Sequence, residues 1–489
     1  MELEAVRVQK LKDIEKLGYN PYPTEYRYTH APAEVLGQFS SKTSEELEKE
    51  PILVRVAGRI LANRPFGKAG FMGLADGGMQ LQVYAKKDRL PERDFELYKL
   101  LDIGDFIGVE GTLFRTRTGE LTVLAKEISF LAKSFLPLPE KWHGLSDVEI
   151  RYRQRYVDLV VNPEVRDVFV KRSLIIRELR RFLDGIGYFE VETPILHAIA
   201  GGALAKPFKT HHNALDRTLY LRIAPELYLK RLIVGGMNRV YDLNRSFRNE
   251  GLSYKHNPEY TMLEFYQAYS NYEDLMDLTE KLITDVVDKV CGTRIVTYDE
   301  HTIDFNQWSR MTMKQAIVRF SPEPIGELEL NDRPTVEGAL KKLHAEFDPR
   351  APLGNLIGSL FETVAEDHLI QPTIIYDHPT ELSPLAKRKA SDPSVVERFE
   401  LYIGGMELAN AYSELNDPMD QRTRFESQLE ARDRGDEEAH QMDDDYIRAL
   451  SYGMPPTAGE GIGVDRLTMI LTNSKSIRDV ILFPHMRAE

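Results

Sequence analysis

The sequence lacks the features that mark disulfide-rich, secreted and membrane proteins. Its 489 residues include one cysteine, Cys291, which excludes intrachain disulfide bonds and cysteine-rich zinc sites. No uncharged apolar run reaches the ~18 residues of a membrane span. The N-terminus from Met1 to Ala5 has no apolar signal core. We therefore expect a cytoplasmic protein, in a reducing compartment, with no membrane segment.

The excess of negative charge and the lack of two common nucleotide-binding motifs limit the possible functions. The net charge of −14 argues against a nonspecific nucleic-acid coat, but a specific nucleic-acid partner stays possible because binding follows local patches. Two blocks, Arg245–Gly251 and Gly459–Arg466, combine arginine and glycine. Neither matches a G-x-x-x-x-G-K-[ST] phosphate loop or a dinucleotide-binding fingerprint. A nucleotide site in this chain must therefore bind phosphate groups with residues other than those of these two motifs.

The segment 51–131 predicts a small β-barrel. Apolar and polar residues alternate along Ile52–Ile60, as in a half-buried strand, and Asp76–Gly78 separates two further strands as a hairpin turn. The remaining predicted elements are a helix at Arg93–Leu101 and strands at Phe106–Phe114 and Glu120–Phe130. This is the layout of an OB-fold, which binds oligonucleotides. A different small barrel is the alternative.

The whole chain divides by pattern into four parts. We predict a helical extension at 1–50, the barrel domain at 51–135, a linker at 136–163 and a mixed α+β domain at 164–489. A mostly helical insertion is expected around 312–370. An amphipathic helix at Arg166–Leu183 is followed by a strand at Phe189–Pro194. The predicted core positions of that helix are Val170, Leu174, Ile175, Ile176, Leu179 and Phe182.

The arginines of the two blocks are candidates for anion binding. An arginine presents a fixed fork of donors that matches phosphate and carboxylate groups. For Arg248 the alternative is a structural ion pair with Glu250, but the polar residues that follow, up to Tyr260, favour a nucleotide site.

Three glutamates, Glu400, Glu407 and Glu414, recur every seven residues. They could form the solvated face of a helix. The pair Gly404-Gly405 breaks such a helix and favours Mg²⁺ binding instead, because Mg²⁺ takes one or two carboxylates plus substrate phosphates.

These segments resemble those of a known enzyme family. Arg245–Gly251 with His256–Tyr260 is similar to motif 2 of the class II aminoacyl-tRNA synthetases, Gly459–Arg466 to motif 3, and Phe189–Pro194 to motif 1. Three runs resemble the lysyl-tRNA synthetases in particular: Gly201–Ala203, Phe208–Asn213 and Tyr220–Lys230. The resemblance covers nearly the whole chain. It implies an α+β fold, with an antiparallel sheet flanked by helices and an N-terminal OB-fold barrel.

The resemblance also implies an activity and its partners. The expected reaction is ATP-dependent activation of L-lysine to lysyl-adenylate, followed by transfer of lysine to the 3′ end of tRNA(Lys). AMP and pyrophosphate are released. The expected partners are ATP, L-lysine, tRNA(Lys), several Mg²⁺ ions and a second copy of the chain in a homodimer.

Site residues follow from the same resemblance. Those implied for ATP are Arg248, Glu250, His256, Asn257, Tyr260, Glu400, Glu407 and Arg466, with Glu400 and Glu407 as Mg²⁺ ligands and Arg248 and Arg466 as catalytic residues. Those implied for lysine are Gly202, Glu226, Arg248, Glu264, Tyr266, Asn410 and Glu414. Phe71 and Gln82 are implied to bind the anticodon. The family more often has phenylalanine at the position of Tyr260, a change that preserves stacking.

Three alternatives accompany this interpretation. A related aspartyl or asparaginyl enzyme would need a cation opposite the substrate side chain, where Glu226 and Glu414 are found. A paralogue that modifies a protein instead of tRNA would not need residues 51–131. A catalytically inactive RNA-binding protein would not need Arg248, Glu400, Glu407 and Arg466.

Overall fold

The computed structural model of the protein describes residues 2–139, 145–203, 205–433 and 441–487. The chain forms two compact units, Met1–Asp167 and Val168–Glu489. Residues 140–144 of the predicted linker lie outside the described residues. The boundaries predicted at residues 50, 135 and 163 stay predictions. No helix among the described residues is long and apolar enough to cross a membrane.

The first unit contains a closed five-stranded barrel. Its elements are α1 (Glu2–Lys16), α2 (Pro32–Phe39), α3 (Ser44–Lys49), β1 (Leu53–Phe66), β2 (Ala69–Asp76), β3 (Met79–Lys86), α4 (Glu92–Leu100), β4 (Phe106–Arg115), β5 (Leu121–Ala132), α5 (Val148–Arg153) and α6 (Arg155–Val161). The barrel closes in the order β1-β2-β3-β5-β4. Five strands with a helix between the third and fourth confirm the OB-fold layout.

Alternation along the strands builds the core of the barrel. Val54, Val56, Leu81 and Val83 are fully buried and point inward, while the residues between them face outward. Residues of the N-terminal helices, such as Ile14 of α1, belong to the same buried cluster. The helices before the barrel therefore pack onto it and share its core.

The second unit is built on a large sheet. Its helices are α7 (Pro163–Gly185, which begins just before the unit), α8 (Glu226–Val234), α9 (Tyr272–Cys291), α10 (Met313–Phe320), α11 (Arg333–Lys342), α12 (Leu353–Val364), α13 (Pro418–Asp433), α14 (Asp444–Ser451), α15 (Val464–Thr472) and α16 (Ile477–Val480). Its strands are β6 (Phe189–Glu190), β7 (Leu196–His197), β8 (Lys209–His212), β9 (Arg217–Leu221), β10 (Arg239–Phe247), β11 (Glu259–Ala268), β12 (Ile295–Tyr298), β13 (His301–Asp304), β14 (Ser309–Thr312), β15 (Thr373–Pro379), β16 (Arg388–Lys389), β17 (Asp392–Ile403), β18 (Met406–Ser413) and β19 (Thr457–Gly463).

The main sheet runs in the order β14-β15-β17-β18-β19-β11-β10-β6. Its strands from β15 to β10 are antiparallel to their neighbours, and the pairs β14–β15 and β10–β6 at its two ends are parallel. Helices α7, α9 and α15 cover one face of the sheet, where Phe265, Phe399 and Ile462 lie in the core. The expected antiparallel sheet flanked by helices is confirmed.

Strand periodicity leaves the opposite face of this sheet polar. On β11, Leu263 and Phe265 enter the core, so Glu264 and Tyr266 project from the other face. On β18, Ala409 and Ala411 enter the core, so Asn410 and Tyr412 project with them. The polar face is where a substrate site can form.

Two sequence predictions around motif 1 need correction. Val170 was expected in the core of its helix, but it is 49% exposed, whereas Ile175 and Leu179 are fully buried. The expected strand Phe189–Pro194 is reduced to Phe189–Glu190, which pairs with β10 alone. An edge strand has one partner, and Pro194 cannot donate a backbone hydrogen bond to extend the pairing.

The segment 312–370, predicted to be mostly helical, contains three α-helices. Helices α10, α11 and α12 pack around their own buried cluster, which includes Ile317, Leu340 and Phe361. That this segment is an insertion stays a prediction.

Candidate active site

A cavity of about 360 Å³ lies on the polar face of the main sheet. It is lined by predicted ATP and lysine residues from five separate stretches of sequence: Gly202, Glu226, Arg248, Glu250, His256, Asn257, Tyr260, Glu264, Tyr266, Glu400, Glu407, Asn410 and Arg466. One predicted lysine residue, Glu414, does not line the cavity and lies behind its wall. The tertiary structure therefore collects the sequence-predicted residues around one space.

Of the heptad-spaced glutamates, Glu400 and Glu407 lie on strands and Glu414 directly follows β18, so the helical alternative is wrong. Glu400 on β17 is opposite Asn410 on β18, and Glu407 is opposite Tyr402. Gly404 and Gly405 connect the strands with φ values of 62° and 68°, in the left-handed region that side chains rarely adopt. The hairpin brings Glu400 and Glu407 to the same cavity.

Glu400 is held by neighbours on its own strand. Arg398 donates a hydrogen bond to Glu400 Oε1, and the hydroxyl of Tyr402 donates one of 2.7 Å to Oε2. Arg398 also donates a hydrogen bond of 2.9 Å to Asn410 Oδ1. Arg398 is therefore a cavity residue that the sequence analysis missed, and alternation with Glu400 along β17 is the signal that could have found it.

Two glutamates at this rim suit a magnesium ion shared with a nucleotide. Among the described residues, no group of three or more histidine, cysteine, aspartate or glutamate side chains is arranged to hold a metal by itself. Mg²⁺ does not require such a cage, because substrate phosphates and water complete its coordination. Burial, with Glu400 and Glu407 adding repulsion, raises the pKa of nearby Glu362. The residues present therefore fit a phosphate-bound Mg²⁺.

Arg248 follows the end of β10 and faces the cavity over an aromatic ring. Its guanidinium carbon is 5.2 Å from the centre of the Tyr260 ring. Its Nε is buried and has no hydrogen-bond partner among the described residues. An open donor on a buried arginine is a ready contact for an anionic ligand.

Arg466 joins three distant segments at the rim. It lies in the first turn of α15 and donates a hydrogen bond to the backbone oxygen of Glu407, with Glu407 Oε2 also 3.5 Å away. Its other terminal nitrogen is 3.3 Å from His256 Nε2. Burial and the positive charge of Arg466 lower the pKa of His256. His256 is therefore neutral at pH 7 and can accept or donate a hydrogen bond there.

A buried carboxylate closes the deep end of the cavity. Glu226, in the first turn of α8, is 4% exposed and accepts a hydrogen bond of 2.7 Å from the hydroxyl of Tyr412. Lys230, one helical turn later, places its Nζ 2.5 Å from Glu226 Oε1 and also contacts Glu414 Oε2. Two carboxylates and one ammonium thus meet at the deep end of the cavity, and only Glu226 among them lines it.

Gly459, the first glycine of motif 3, makes room for this arrangement. A Cβ atom on Gly459 would lie 2.2 Å from a ring carbon of Tyr266 and 2.4 Å from Glu414 Oε1. Any side chain at this position of β19 would displace both groups. Gly459 therefore allows Tyr266 and Glu414 to approach the backbone of the neighbouring strand.

Glu264 is another buried acid that lines the cavity. Burial and the nearby charge of Glu226 raise the pKa of Glu264 to about 8, although Arg222 opposes the shift. The hydroxyl of Tyr266 donates a hydrogen bond of 3.3 Å to it. Below that pKa Glu264 is a neutral acid, and a cationic ligand would favour its ionised form.

Tyr412 and Lys230 are the other contributors that the sequence analysis missed. Tyr412 lies two residues from both Asn410 and Glu414, so strand alternation places it on their face. Lys230 is four residues after Glu226, which is the spacing of neighbours on a helix. Both positions follow from local periodicity once the element type is known.

The barrel of the first unit carries the two residues predicted for the anticodon. Phe71 on β2 is opposite Tyr84 on β3, and their rings stack with centroids 4.7 Å apart. Alternation with buried Met72 and Leu74 puts Phe71 on the outer surface. It is therefore available for stacking and is not part of the barrel core.

Gln82 lies on the same outer surface with its amide oriented by neighbours. Thr122 donates a hydrogen bond of 2.8 Å to its Oε1, and its Nε2 donates one of 3.0 Å to Glu120. The rings of Phe66 and Phe114 extend the aromatic surface to either side. These two rings were not predicted, although strand alternation would place them there.

The first unit is an OB-fold, a fold that binds oligonucleotides, and the second carries a cavity lined by arginines and carboxylates. The family model of class II tRNA synthetases (D, K and N) matches residues 147–487, and that of the OB-fold nucleic acid binding domain matches residues 54–131. The chain therefore belongs to the class II tRNA synthetases of this group.

The relatives that match over nearly their full length are lysine–tRNA ligases. The chain is 53% identical over 487 residues to the lysine–tRNA ligase of Pelotomaculum thermopropionicum, covering 99% of this chain and 95% of the relative. It is 52% identical over 487 residues to that of Carboxydothermus hydrogenoformans, covering 99% and 98%. It is 51% identical over 489 residues to that of Halalkalibacterium halodurans, covering 99% and 97%. The resemblance seen in the sequence is confirmed.

Proposed function

We propose that this chain is a lysine–tRNA ligase. It activates L-lysine with ATP to lysyl-adenylate and pyrophosphate, then transfers the lysyl group to the 3′ end of tRNA(Lys) and releases AMP. The observation that carries the choice of lysine is Glu226, a buried carboxylate at the closed end of the cavity. A buried charge requires a partner of opposite sign, and the side-chain ammonium of lysine supplies one.

The presence of Lys230 beside Glu226 does not turn the pocket into one for an acidic substrate. Its ammonium contacts both Glu226 and Glu414, so two carboxylates outnumber it. An aspartate side chain would bring a third carboxylate to the same place. The deep end of the cavity therefore favours a cation over an anion or a neutral amide.

The chemistry of the first step requires positioning more than proton transfer. The carboxylate of lysine is already a nucleophile at neutral pH, so it needs alignment with the α-phosphorus and stabilisation of the charge that develops. Arg248 holds an open donor on the cavity, and Arg466 stands at its rim. We assign Arg248 to the α-phosphate and the lysine carboxylate, and Arg466 to the adenine face opposite Tyr260.

The other cavity residues divide between the two substrates. Glu250, His256 and Asn257 lie beside Arg248 and Tyr260 and are assigned to ATP. Glu400 and Glu407 would hold Mg²⁺, which would offset the negative charge of the triphosphate. Gly202, Glu264, Tyr266 and Asn410 are assigned to lysine together with Glu226.

The barrel is assigned to the anticodon of tRNA(Lys). Phe71 offers a ring for base stacking and Gln82 an oriented amide for hydrogen bonding. Base stacking on one aromatic side chain contributes about 1–3 kcal/mol.

A homodimer is also proposed, from the apolar surface of the motif 1 region. Val170, Ile186, Phe189, Ile195 and Leu196 are each between 38% and 66% exposed in the single chain. Such patches on a soluble chain mark interfaces, and identical chains usually pair about a twofold axis. Light scattering at micromolar concentration should give the mass of two chains; a single-chain mass would contradict the proposal.

The experiment that tests the function is ATP–pyrophosphate exchange with purified protein. Exchange should depend on lysine, with little support from aspartate, asparagine or ornithine. Exchange with aspartate or asparagine would favour the related enzymes of the same family group. A complete absence of exchange with intact ATP binding would favour the inactive RNA-binding alternative.

A further inference from the structure

A largely buried arginine of α7 joins the ends of two other elements. The Nη1 atom of Arg172 lies 2.6 Å from Asp465 Oδ1, and its Nη2 donates a hydrogen bond of 3.0 Å to Thr261 Oγ1. Thr261 belongs to β11, and Asp465 lies in the first turn of α15. One guanidinium fork therefore holds together a strand and a helix whose two residues are 204 positions apart in the sequence.

Asp465 completes the same link through the backbone. Its Oδ2 accepts a hydrogen bond of 2.7 Å from the backbone nitrogen of Thr261. The paired residues of β11 and β19 end at Met262 and Gly463. The nitrogen of Thr261 lies just beyond that last pair, so a side-chain carboxylate supplies its acceptor. Both Thr261 and Asp465 are buried, and the end of β11 is therefore fixed against α15 by a buried, charged contact.

The two linked residues are direct neighbours of the residues assigned to the adenine faces. Tyr260 precedes Thr261, and Arg466 follows Asp465. Tyr260 and Arg466 line the cavity, whereas Arg172 is not among the described residues that line it. Because consecutive residues are a fixed distance apart, a shift of Thr261 or Asp465 moves its neighbour as well. A base stacks well only when the gap between the ring and the guanidinium matches its thickness, so small displacements there weaken binding.

We propose that Arg172 is a positioning residue for the adenine site. Its fork fixes the separation of Thr261 and Asp465, and that separation sets the gap between Tyr260 and Arg466. The inference rests on the proposed function and deepens it, because it gives α7 a part in nucleotide binding. A different role would be purely electrostatic: Arg172 would only neutralise Asp465, whose charge would otherwise repel the triphosphate.

The test begins with Arg172→Lys, measured in ATP–pyrophosphate exchange. Lysine keeps a positive charge opposite Asp465, so the buried carboxylate stays paired and the fold should hold. A single ammonium nitrogen cannot reproduce the fork that bridges Asp465 and Thr261. The inhibition constant of adenosine and the KM of ATP should therefore both rise about fivefold or more. The inhibition constant of inorganic tripolyphosphate and the KM of lysine should stay within about twofold of the parent values.

Arg172→Met separates positioning from charge neutralisation. It removes both the fork and the charge, so adenosine inhibition should weaken further, by about tenfold or more relative to the parent. Under the purely electrostatic role, uncharged adenosine would bind normally to both variants, and tripolyphosphate would bind more weakly to Arg172→Met alone. That pattern, or unchanged adenosine inhibition in Arg172→Lys, would overturn the proposal. Arg172→Lys decides the question even if Arg172→Met fails to fold.

A matched control removes the cation of another partly buried ion pair in the second unit. The Nζ atom of Lys389 is 2.6 Å from Asp377 Oδ2. Lys389→Met should lower the melting temperature but leave adenosine inhibition unchanged. Tyr260→Leu is the positive reference and should weaken adenosine inhibition, because it removes one stacking face.

The outcomes distinguish this inference from the proposed function. A parent without lysine-dependent exchange would contradict the proposed function itself. Unchanged adenosine inhibition in Tyr260→Leu would contradict the adenine assignment, and the role of Arg172 with it. Unchanged adenosine inhibition in Arg172→Lys, with a clear loss in Tyr260→Leu, would contradict only the role of Arg172.

Discussion

The hydroxyl of Tyr412 donates a hydrogen bond of 2.7 Å to Oε1 of Glu226, although 186 positions separate the two residues. The contact joins the first turn of α8 to the end of β18 and closes the cavity at its deep end. It orients a buried carboxylate toward the space where a substrate side chain would end.

Glu226→Gln tests whether this carboxylate recognises lysine. The variant keeps shape but loses the charge, and a charge-assisted hydrogen bond contributes about 1.5–3 kcal/mol. The KM of lysine should therefore rise about tenfold or more, with the KM of ATP nearly unchanged. Tyr412→Phe is the matched milder change and should cost about 0.5–1.5 kcal/mol. Loss of ATP binding in Glu226→Gln would place Glu226 outside the lysine pocket.

Glu407→Gln tests the magnesium assignment. The substitution removes a negative charge from the β17–β18 hairpin with little change in shape, so the fold should hold. Exchange should fall at limiting magnesium and recover in part at high magnesium. Glu280→Gln is a suitable control, because Glu280 lies on α9 and pairs with Arg310. Equal exchange by parent and Glu407→Gln across a magnesium titration would mean that Glu407 is not a ligand.

Lysine binding should depend on pH through Glu264. The pKa of Glu264 is about 8 in the cavity, so the acid is mostly protonated at pH 7. An ammonium group binds the ionised form better, so the KM of lysine should fall as pH rises from about 6.5 to 8, by at most tenfold per unit. Calorimetry in buffers of different ionisation enthalpy should detect proton release on binding.

The variant Glu264→Gln should bind lysine more weakly and lose the pH dependence. A KM of lysine that does not vary over this pH range in the parent would refute the assignment.

Phe71→Ala tests the anticodon surface. ATP–pyrophosphate exchange should stay near the parent value. The kcat/KM for tRNA charging should fall by the equivalent of about 1–3 kcal/mol, which is the contribution of one stacked base. Phe106→Ala is the control, since Phe106 packs under Arg59 elsewhere on the barrel, 4.2 Å from its guanidinium. If both variants charge tRNA as well as the parent, Phe71 does not contact the anticodon.

Glu460 should make the stability of the fold pH-dependent. The hydroxyl of Thr279 lies 2.6 Å from both Leu275 O and Glu460 Oε2. A hydroxyl has one proton to donate, so one of these contacts requires a protonated Glu460. Burial raises the pKa of Glu460 to about 8. In the folded protein at pH 7, the Glu460 side chain is therefore mostly protonated and uncharged.

The sign of the effect follows from the raised pKa. The stability contributed by neutral Glu460 is complete below the ordinary pKa of 4.5 and is lost as pH rises toward about 8. Each unit of that interval costs about 1.4 kcal/mol. Glu460→Gln stays neutral, so its melting temperature should exceed that of the parent at pH 8.5 and change less with pH. A parallel pH dependence in both proteins would show that Glu460 does not titrate in this way.

Local patterns in the sequence predicted much of the molecule. Strand alternation and the Asp76–Gly78 turn specify the hairpin of the barrel, because period-two burial and turn chemistry act within a few residues. The arginine and glycine blocks identify the family and most of the cavity residues. The same local reasoning was ambiguous for Glu400, Glu407 and Glu414, because a seven-residue spacing suits a helix as well as a hairpin.

What only the tertiary structure established is which of these residues meet. The order of strands puts β18 beside β19 and β19 beside β11, and no local pattern contains that order. It brings Glu414 against Lys230 and leaves Glu226 to face the cavity. Charge pairing among buried groups depends on distances of a few ångströms between remote segments. The sequence alone determined the kind of groups in the pocket, and the packing of the sheet against α8 determined their partners.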